Sequence, residues 1–200
     1  MASSVDASEP GRWHAEARKL RPMLADLRGD VAVQVGASDA PCLPPEHFRT
    51  IFTFDELGDA QARAHAAALP VPTATVDALL LMHVLDREDD LDGVIAEAAR
   101  VLRGEGRLVV VGLRPFSPAA LARFPHGVRT GAMPVGPWRL RAAMRANGLQ
   151  WQGTRRLRWA YAAWGLRRQS CATPLRPAWK VARRPRPRAV GVPGAGRARG

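Results

Sequence analysis

Two short apolar runs, separated by one helix-like stretch, most constrain how this chain can fold. Val76–Met82 is almost continuously apolar, as expected of a strand that is covered on both faces of a parallel sheet. Arg107–Leu113 predicts a second buried strand. Between them, apolar residues recur along one helical face, at Leu91, Val94, Ile95, Ala98 and Leu102. The order strand, helix, strand predicts a right-handed βαβ unit and therefore an α/β fold.

Further strand and helix signals lie on both sides of this unit. Val31–Val35 and Phe48–Phe54 predict strands, and the prolines within Asp39–Pro45 keep a helix from starting directly after the first of them. Only 14 positions separate Asp55 from Leu69, so a third strand is expected to be shortened or missing. The remaining predictions are helices at Arg12–Leu27, interrupted at Pro22, at alanine-rich Leu57–Ala68 and at Pro137–Ala146, and a strand at Leu149–Leu157.

The chain length of 200 residues favours one domain, which we expect to span residues 1–181. Residues 182–200 are dense in Arg, Pro and Gly without periodicity and predict a disordered basic tail. No run approaches the roughly 20 apolar residues of a membrane-spanning helix, and Met1–Pro10 lacks the pattern of a secretory signal, so we expect a cytoplasmic protein. Cys42 and Cys171 are expected to be reduced structural thiols, and no metal-ligand spacing is present.

Charge is distributed unevenly along the chain. Residues 1–105 contain all 18 acidic residues and 10 basic ones, a net charge of 10 − 18 = −8, whereas residues 106–200 contain 20 basic residues and no acidic ones. Such asymmetry is typical of proteins that contact nucleic acid or anionic membranes. The alternative is a compositional bias, because all but two of the 30 basic residues are arginines among abundant Ala, Pro and Gly.

Two stretches carry a resemblance to a known family. Residues 69–86 contain Leu69-Pro70, Val76-Asp77 and His83-Val84-Leu85-Asp86, and residues 99–112 begin Ala99-Arg100-Val101-Leu102-Arg103-Gly104. In order and spacing they resemble the LPF-like turn, VD-bearing strand, HVLEH-like loop and VLRPGG-like helix end of class I S-adenosylmethionine-dependent methyltransferases, more narrowly their type 11 domain. The resemblance implies a Rossmann-like methyltransferase sheet with helices on both faces, the cofactor S-adenosylmethionine, and methyl transfer to an acceptor that the sequence does not identify.

The glycine-rich cofactor motif of that family is degenerate in this chain. The family's first strand ends in a DxGxG-like turn, and a helix follows it. The corresponding run here has a single glycine and an amide in place of the acid: Val33-Gln34-Val35-Gly36-Ala37-Ser38-Asp39. Pro41, Pro44 and Pro45 follow it, where the helix would begin.

The resemblance also implies which residues hold the cofactor. Ligands of parallel sheets bind at the carboxyl ends of the strands, so the implied residues follow strands or lie in the turn before one. Asp55, or Glu56 beside it, corresponds to the acid that binds the ribose hydroxyls. The implied cofactor-binding set is Val35, Gly36, Ala37, Asp55, Leu69, Pro70 and His83.

The chemistry itself demands no particular catalytic motif. Transfer of a methyl group from a sulfonium requires mainly that the protein align the reactants and exclude water. His83, just beyond a buried strand, is a candidate for a catalytic base, which is useful only where the acceptor must lose a proton. The alternative is a loop histidine that bonds nearby backbone.

Arginines and aromatic residues are interleaved near the carboxyl end. The mixture suits phosphates and stacked bases and comprises Arg155, Arg156, Arg158, Trp159, Tyr161, Trp164, Arg167 and Arg168. Leu157, Tyr161 and Trp164 also have helical spacing, which favours core packing, a substrate lid or a membrane-surface helix. An alternative function is therefore a catalytically inactive methyltransferase-like module whose arginine-rich half contacts RNA or another acidic partner.

Overall fold

A single sheet of seven strands organises the described part of the chain. The computed structural model describes residues 9–56, 60–118, 134–158 and 160–168, so the expected boundary at residue 181 and the tail at 182–200 lie outside it. The helices are α1 (Glu9–Leu24), α2 (Leu91–Val101) and α3 (Pro137–Ala146), with a short 3-10 turn at Pro45–His47. The strands are β1 (Gly29–Val35), β2 (Phe48–Asp55), β3 (Ala62–Arg63), β4 (Val76–Met82), β5 (Leu102–Leu113), β6 (Leu149–Arg156) and β7 (Ala160–Arg167).

The strand order is β3-β2-β1-β4-β5-β7-β6. The first five strands of that order are parallel, and β7 runs antiparallel to both of its neighbours. The carboxyl ends of β1, β2, β4 and β5 therefore lie at one edge of the sheet, which we call the carboxyl edge. The predicted α/β sheet is confirmed, and the expected third strand is shortened to the two residues of β3.

Both faces of the sheet are covered by helices. Helix α1 packs on one face, where Leu20 and Leu24 join a buried cluster with Leu80 and Val109. Helices α2 and α3 pack on the other face, where their apolar side chains join Leu79, Leu81 and Val110. Every residue of β4 is buried, as the continuous apolar run predicts for a strand covered on both sides.

The central βαβ unit of β4, α2 and β5 is confirmed. The Asp90 side chain begins α2 by accepting the N–H of Gly93 at 2.8 Å, a helix N-cap contact. Strand β5 starts at Leu102, five positions earlier than expected, because Leu102 already pairs with Val76. A register irregularity then brings Arg107 opposite Ala78.

The predicted helix at Leu57–Ala68 is wrong over residues 60–68, and residues 57–59 lie outside the described chain. Phe54 pairs with Ala62 to form β3, and a bridge joins His65 to Ala68. Alanine favours a helix only weakly, and strand pairing and the burial of Leu69 override that preference here.

Two further expectations differ from the structure. Helix α1 continues through Pro22 and ends two residues later, at Leu24. Pro22 therefore lies in the last turn of the helix and does not divide it. The helical spacing of Leu157, Tyr161 and Trp164 does not form a helix, because residues 160–167 form β7. Tyr161 packs on the α2 face of the sheet and Trp164 on the α1 face. Because both faces are covered, the sequence of β7 lacks the alternation of apolar and polar residues that marks a strand with one exposed face. No helix in the described residues is long and apolar enough to cross a membrane.

Candidate cofactor site at the carboxyl edge

Gly36 forms the turn between β1 and the loop that follows it. Its N–H donates to the carbonyl of Phe54 in β2 at 2.8 Å, and its φ of +80° is a conformation that favours glycine. A Cβ at this position would lie 2.4 Å from the carbonyl oxygen of Met82 in β4. The glycine therefore lets three parallel strands converge at the carboxyl edge.

The loop after β1 is held closed by Gln34, the residue that replaces the acid of the family motif. Its buried amide nitrogen donates to the carbonyls of Ala37 and Ala40, at 3.1 and 3.2 Å, and its oxygen accepts the N–H of Cys42 at 3.0 Å. Residues 36–47 are all described and contain no α-helix, as their prolines predict. The edge thus has no helix N-terminus next to Gly36 to favour an anion.

Cys42 lies inside this closed loop and is buried. Burial raises the pKa of its thiol to about 12, so the thiol stays protonated and unreactive at neutral pH. This environment agrees with the expected structural role, while Cys171 lies outside the described residues.

Asp55 and Arg87 form an ion pair beside Gly36. Asp55 ends β2 with 4% of its surface exposed, and Arg87 Nη2 lies 3.5 Å from its Oδ1. The same Nη2 is 3.4 Å from the position that a Cβ of Gly36 would take. The structure therefore brings Gly36 and Asp55 together, as the resemblance implies, with the guanidinium of Arg87 close to both.

His83 follows β4 at the same edge but is enclosed. Its Nδ1 lies 2.8 Å from Asp86 Oδ2, its Nε2 lies 2.6 Å from Glu16 Oε2 in α1, and only 2% of the residue is exposed. Burial by itself lowers the pKa of His83, but the hydrogen bonds to Asp86 and Glu16 and their charges outweigh it and raise the pKa above its ordinary value. The two carboxylates therefore favour the protonated form of His83, and their hydrogen bonds to it tie α1 to the carboxyl edge.

Asp86 in turn is fixed by the backbone of β5. Both of its carboxylate oxygens lie 3.0 Å from the N–H of Leu113. In this geometry neither nitrogen of His83 is placed to take a proton from an acceptor, so a role as base would require one carboxylate contact to break.

Leu69 and Pro70 are held against α2. The N–H of Leu69 donates to Glu97 Oε1 at 2.8 Å, and Arg100 donates to the carbonyls of Leu69 and Val71 at 3.2 and 2.8 Å. The side chain of Leu69 is buried, whereas Pro70 is exposed. A cofactor can therefore contact this turn through side chains, but the amide of Leu69 already has a partner.

One group with the residue types of a metal site occurs among the described residues. Single ligand atoms of Glu56, His65 and Glu88 lie within 4.8 Å of one another. The Nδ1 of His65 accepts the N–H of Ala67 at 3.1 Å, so in the neutral ring the proton is on Nε2, which faces Glu88 at 3.4 Å. This tautomer favours a hydrogen-bonded histidine and carboxylate pair over a metal ligand set.

Three residues of the site were not assigned a role by sequence reasoning. Asp86 and Arg87 lie three and four residues after His83, in the loop that follows β4. Because ligands of parallel sheets bind at such loops, this position could have marked both residues as candidates for the site. Glu16 had no such signal, because its contact with His83 joins residues 67 positions apart. Local patterns do not report contacts of that separation.

Comparisons with known proteins agree with this architecture. Residues 49–110 match the methyltransferase domain family of type 11. Two proteins of Mycobacterium tuberculosis, each named a probable S-adenosylmethionine-dependent methyltransferase, are 37% identical to the chain over 86 residues. The match covers 43% of this chain and 30% of each relative, so the chain spans less than a third of their length.

Solved structures share the fold at low sequence identity. The YcgJ protein of Bacillus subtilis superposes with a TM-score of 0.60 at 16% identity, covering 78% of this chain and all of that one. The geranyl diphosphate C-methyltransferase of Streptomyces coelicolor, in complex with Mg²⁺, geranyl-S-thiolodiphosphate and S-adenosyl-L-homocysteine, gives a TM-score of 0.60 at 14% identity, covering 76% of this chain and 75% of that one.

The described chain has the Rossmann-like fold of the methyltransferases among its structural neighbours, and its central segment matches a methyltransferase domain family. More narrowly, the resemblance to the type 11 domain of S-adenosylmethionine-dependent methyltransferases is confirmed, and the matched residues include β4, α2 and most of β2 and β5.

Proposed function

We propose that this chain binds S-adenosylmethionine and transfers its methyl group to an acceptor that is still to be identified. The observation that carries the proposal is the meeting of Gly36 and the buried Asp55 at adjacent strand ends in a methyltransferase sheet. The names of the Mycobacterium tuberculosis relatives and the S-adenosyl-L-homocysteine in the Streptomyces coelicolor structure support the same cofactor. They favour catalysis over an inactive module that contacts RNA.

The residues at the carboxyl edge suit the two polar ends of this cofactor. The carboxylate of Asp55 offers acceptor oxygens to the ribose hydroxyls. Arg87 offers a guanidinium to the carboxylate of the methionine moiety, and it takes over the role of the helix N-terminus that the prolines remove. Val35, Ala37, Leu69, Pro70 and His83 remain predicted neighbours of the cofactor.

S-adenosylmethionine, when bound, supplies a methyl group on a positively charged sulfur. The chain's part is to orient the two reactants and to keep water away, for which the buried ends of β1, β4 and β5 provide apolar surroundings. His83 contributes by fixing α1 and the β4 end in one arrangement.

The first test is the binding of S-adenosyl-L-homocysteine to the full chain, measured by isothermal titration. Asp55→Asn keeps the shape of the side chain but removes its charge, and we expect a rise in Kd of about tenfold or more. Asp26→Asn, at an exposed turn, is the matched control and is expected to leave Kd unchanged. Absence of binding of either S-adenosylmethionine or S-adenosyl-L-homocysteine at millimolar concentration would falsify the proposal.

Arg87 is tested by comparing two ligands. S-adenosyl-L-homocysteine carries the amino-acid carboxylate and methylthioadenosine lacks it. Arg87→Gln is expected to weaken the first by about tenfold, because a charge-assisted hydrogen bond is lost, and to leave the second unchanged or tighter, because Asp55 loses a competitor. Equal strengthening of both ligands would show instead that Arg87 only obstructs the site.

A further inference from the structure

A second concave site lies between α1 and the far end of the β6–β7 hairpin. It is a cavity of about 510 Å³ lined by Lys19, Arg155, Arg156, Leu157 and Arg158, which we call the hairpin cavity. Among the described residues that line it, every charged side chain is cationic and exposed. None of these residues belongs to the cofactor site described above.

The hairpin cavity lies at the carboxyl edge. Strand β7 begins at Ala160, which pairs with Leu113 at the end of β5, and the N–H of Leu157 donates to the carbonyl of Ala160 at 2.9 Å. Arg114, the first residue after β5, reaches the same hairpin through its Nη1, which lies 3.5 Å from the carbonyl oxygen of Arg158. The cavity is thus joined to the end of β5, on the side of the sheet away from β1 and β2.

The charges of the hairpin cavity favour an anionic occupant. Lys19, Arg155 and Arg156 bring like charges together at one concave surface, and the sequence has no acidic residue after Glu105 that could neutralise the arginines from within the hairpin. Each guanidinium presents a planar fork of donors that matches two oxygens of one phosphate. A multiply charged phosphate or diphosphate offsets this repulsion better than a single carboxylate does.

Shape and size favour a small molecule over a polymer. Ligand sites for small molecules commonly measure about 300 to 1,000 Å³, and the hairpin cavity falls within that range. Leu157 gives the otherwise cationic lining one apolar contact. A cationic surface for a nucleic acid is instead a groove that follows the phosphate backbone.

We propose that the hairpin cavity binds the phosphate or diphosphate group of the methyl acceptor, which makes the acceptor a phosphorylated small molecule. This inference rests on the proposed methyl transfer and specifies its substrate class. The phosphate serves as a handle at the β5 side of the carboxyl edge while the cofactor is held at the β1 side. No bond to phosphorus forms or breaks.

The test measures pyrophosphate binding to the full chain by isothermal titration in a chloride buffer. We expect saturable binding with one site per chain. The double variant Arg155→Gln with Arg156→Gln is expected to raise Kd about tenfold or more. Replacing both residues by lysine keeps the charge but loses the forked geometry, and an intermediate rise is expected.

The matched control is Arg28→Gln with Arg49→Gln, two exposed arginines at the opposite edge of the sheet. It removes the same net charge and is expected to change Kd less than twofold. Equal weakening by the two double glutamine variants would overturn the proposal, because the attraction would then be a property of the whole charged surface. Absence of pyrophosphate binding would overturn it as well.

Two further measurements separate this inference from the proposed function. S-adenosyl-L-homocysteine is expected to bind the Arg155 and Arg156 variants as tightly as the unsubstituted chain. Pyrophosphate binding without any binding of S-adenosyl-L-homocysteine would refute methyl transfer while the anion site stands. A single-stranded RNA that binds more tightly than pyrophosphate, and loses affinity equally in both double glutamine variants, would overturn the assignment to a small molecule.

Discussion

At the scale of single residues, two glycines at opposite edges of the sheet share a backbone conformation but differ in their surroundings. Gly36 has a φ of +80° and Gly148 a φ of +75°, so both take a backbone conformation that disfavours other residues. A Cβ at Gly36 would meet the carbonyl of Met82 at 2.4 Å, whereas a Cβ at Gly148 would meet nothing within 4 Å. A side chain at Gly148 would therefore cause backbone strain alone, whereas a side chain at Gly36 would cause the same strain and a clash with β4.

This difference predicts unequal costs for the same substitution. Gly148→Ala is expected to lower the free energy of unfolding by about 1 kcal/mol, the cost of the left-handed conformation. Gly36→Ala is expected to lower it by about 3 kcal/mol, because β1 and β4 must also separate. Urea denaturation of both variants measures the difference, and equal losses would show that the approach to Met82 relaxes without penalty.

Sequence patterns predicted where Gly36 and Asp55 lie in the fold, and the cofactor contacts of both residues stay predictions. Gly36 and Asp55 could be found because each directly follows a strand that its own sequence pattern marks. Arg87 and Glu16 were not assigned, because their roles depend on the packing of one element against another. The sequence around a charged residue in a loop or helix does not indicate which distant residue it contacts.

At the scale of elements, α1 is anchored to the sheet by a buried charge cluster. The Glu16, His83 and Asp86 side chains are each less than 10% exposed. The raised pKa of His83 determines how the stability of the fold depends on pH. The cluster stabilises the fold fully below the unfolded-state pKa of about 6.5, and this stabilisation is lost as pH rises through the folded-state pKa.

We therefore expect the free energy of unfolding to fall as pH rises above about 6.5. His83→Asn removes the charge, and asparagine tolerates the φ of +56° at this position. At pH 6 the variant should be less stable by about 3–5 kcal/mol, because two buried carboxylates lose their cation, and this component of the pH dependence should vanish. Urea denaturation from pH 6 to 9 measures both effects. Parallel pH profiles for the variant and the unsubstituted chain would contradict the assignment.

Element prediction worked best where burial produces a simple pattern. Val76–Met82 and Pro137–Ala146 have the bounds that the sequence predicts, because one is apolar throughout and the other starts at a proline and precedes Gly148. The segment from residue 60 to 68 was misassigned because its alanines carry little information about packing. Strand β7 was missed because both of its faces are buried near Tyr161 and Trp164.

At the scale of the whole molecule, positive charge exceeds negative charge by 12. Like charges on a compact chain repel one another, and salt screens that repulsion. We expect the free energy of unfolding to rise by about 1 kcal/mol between 0.05 and 0.5 M NaCl. The Arg155 and Arg156 double glutamine variant, with less charge, should show a smaller rise. A fall in stability with salt would show that ion pairs such as Arg100 with Glu97 outweigh the repulsion.

The contact between Glu16 and His83 also orders events during synthesis. The ribosome releases α1 long before β4, and Asp86, the second partner of His83, is itself fixed by Leu113 at the end of β5. The first helix therefore has no completed docking surface until β5 has emerged from the exit tunnel. Until then its apolar side chains are exposed in the nascent chain, where a chaperone that recognises unfolded segments can bind them.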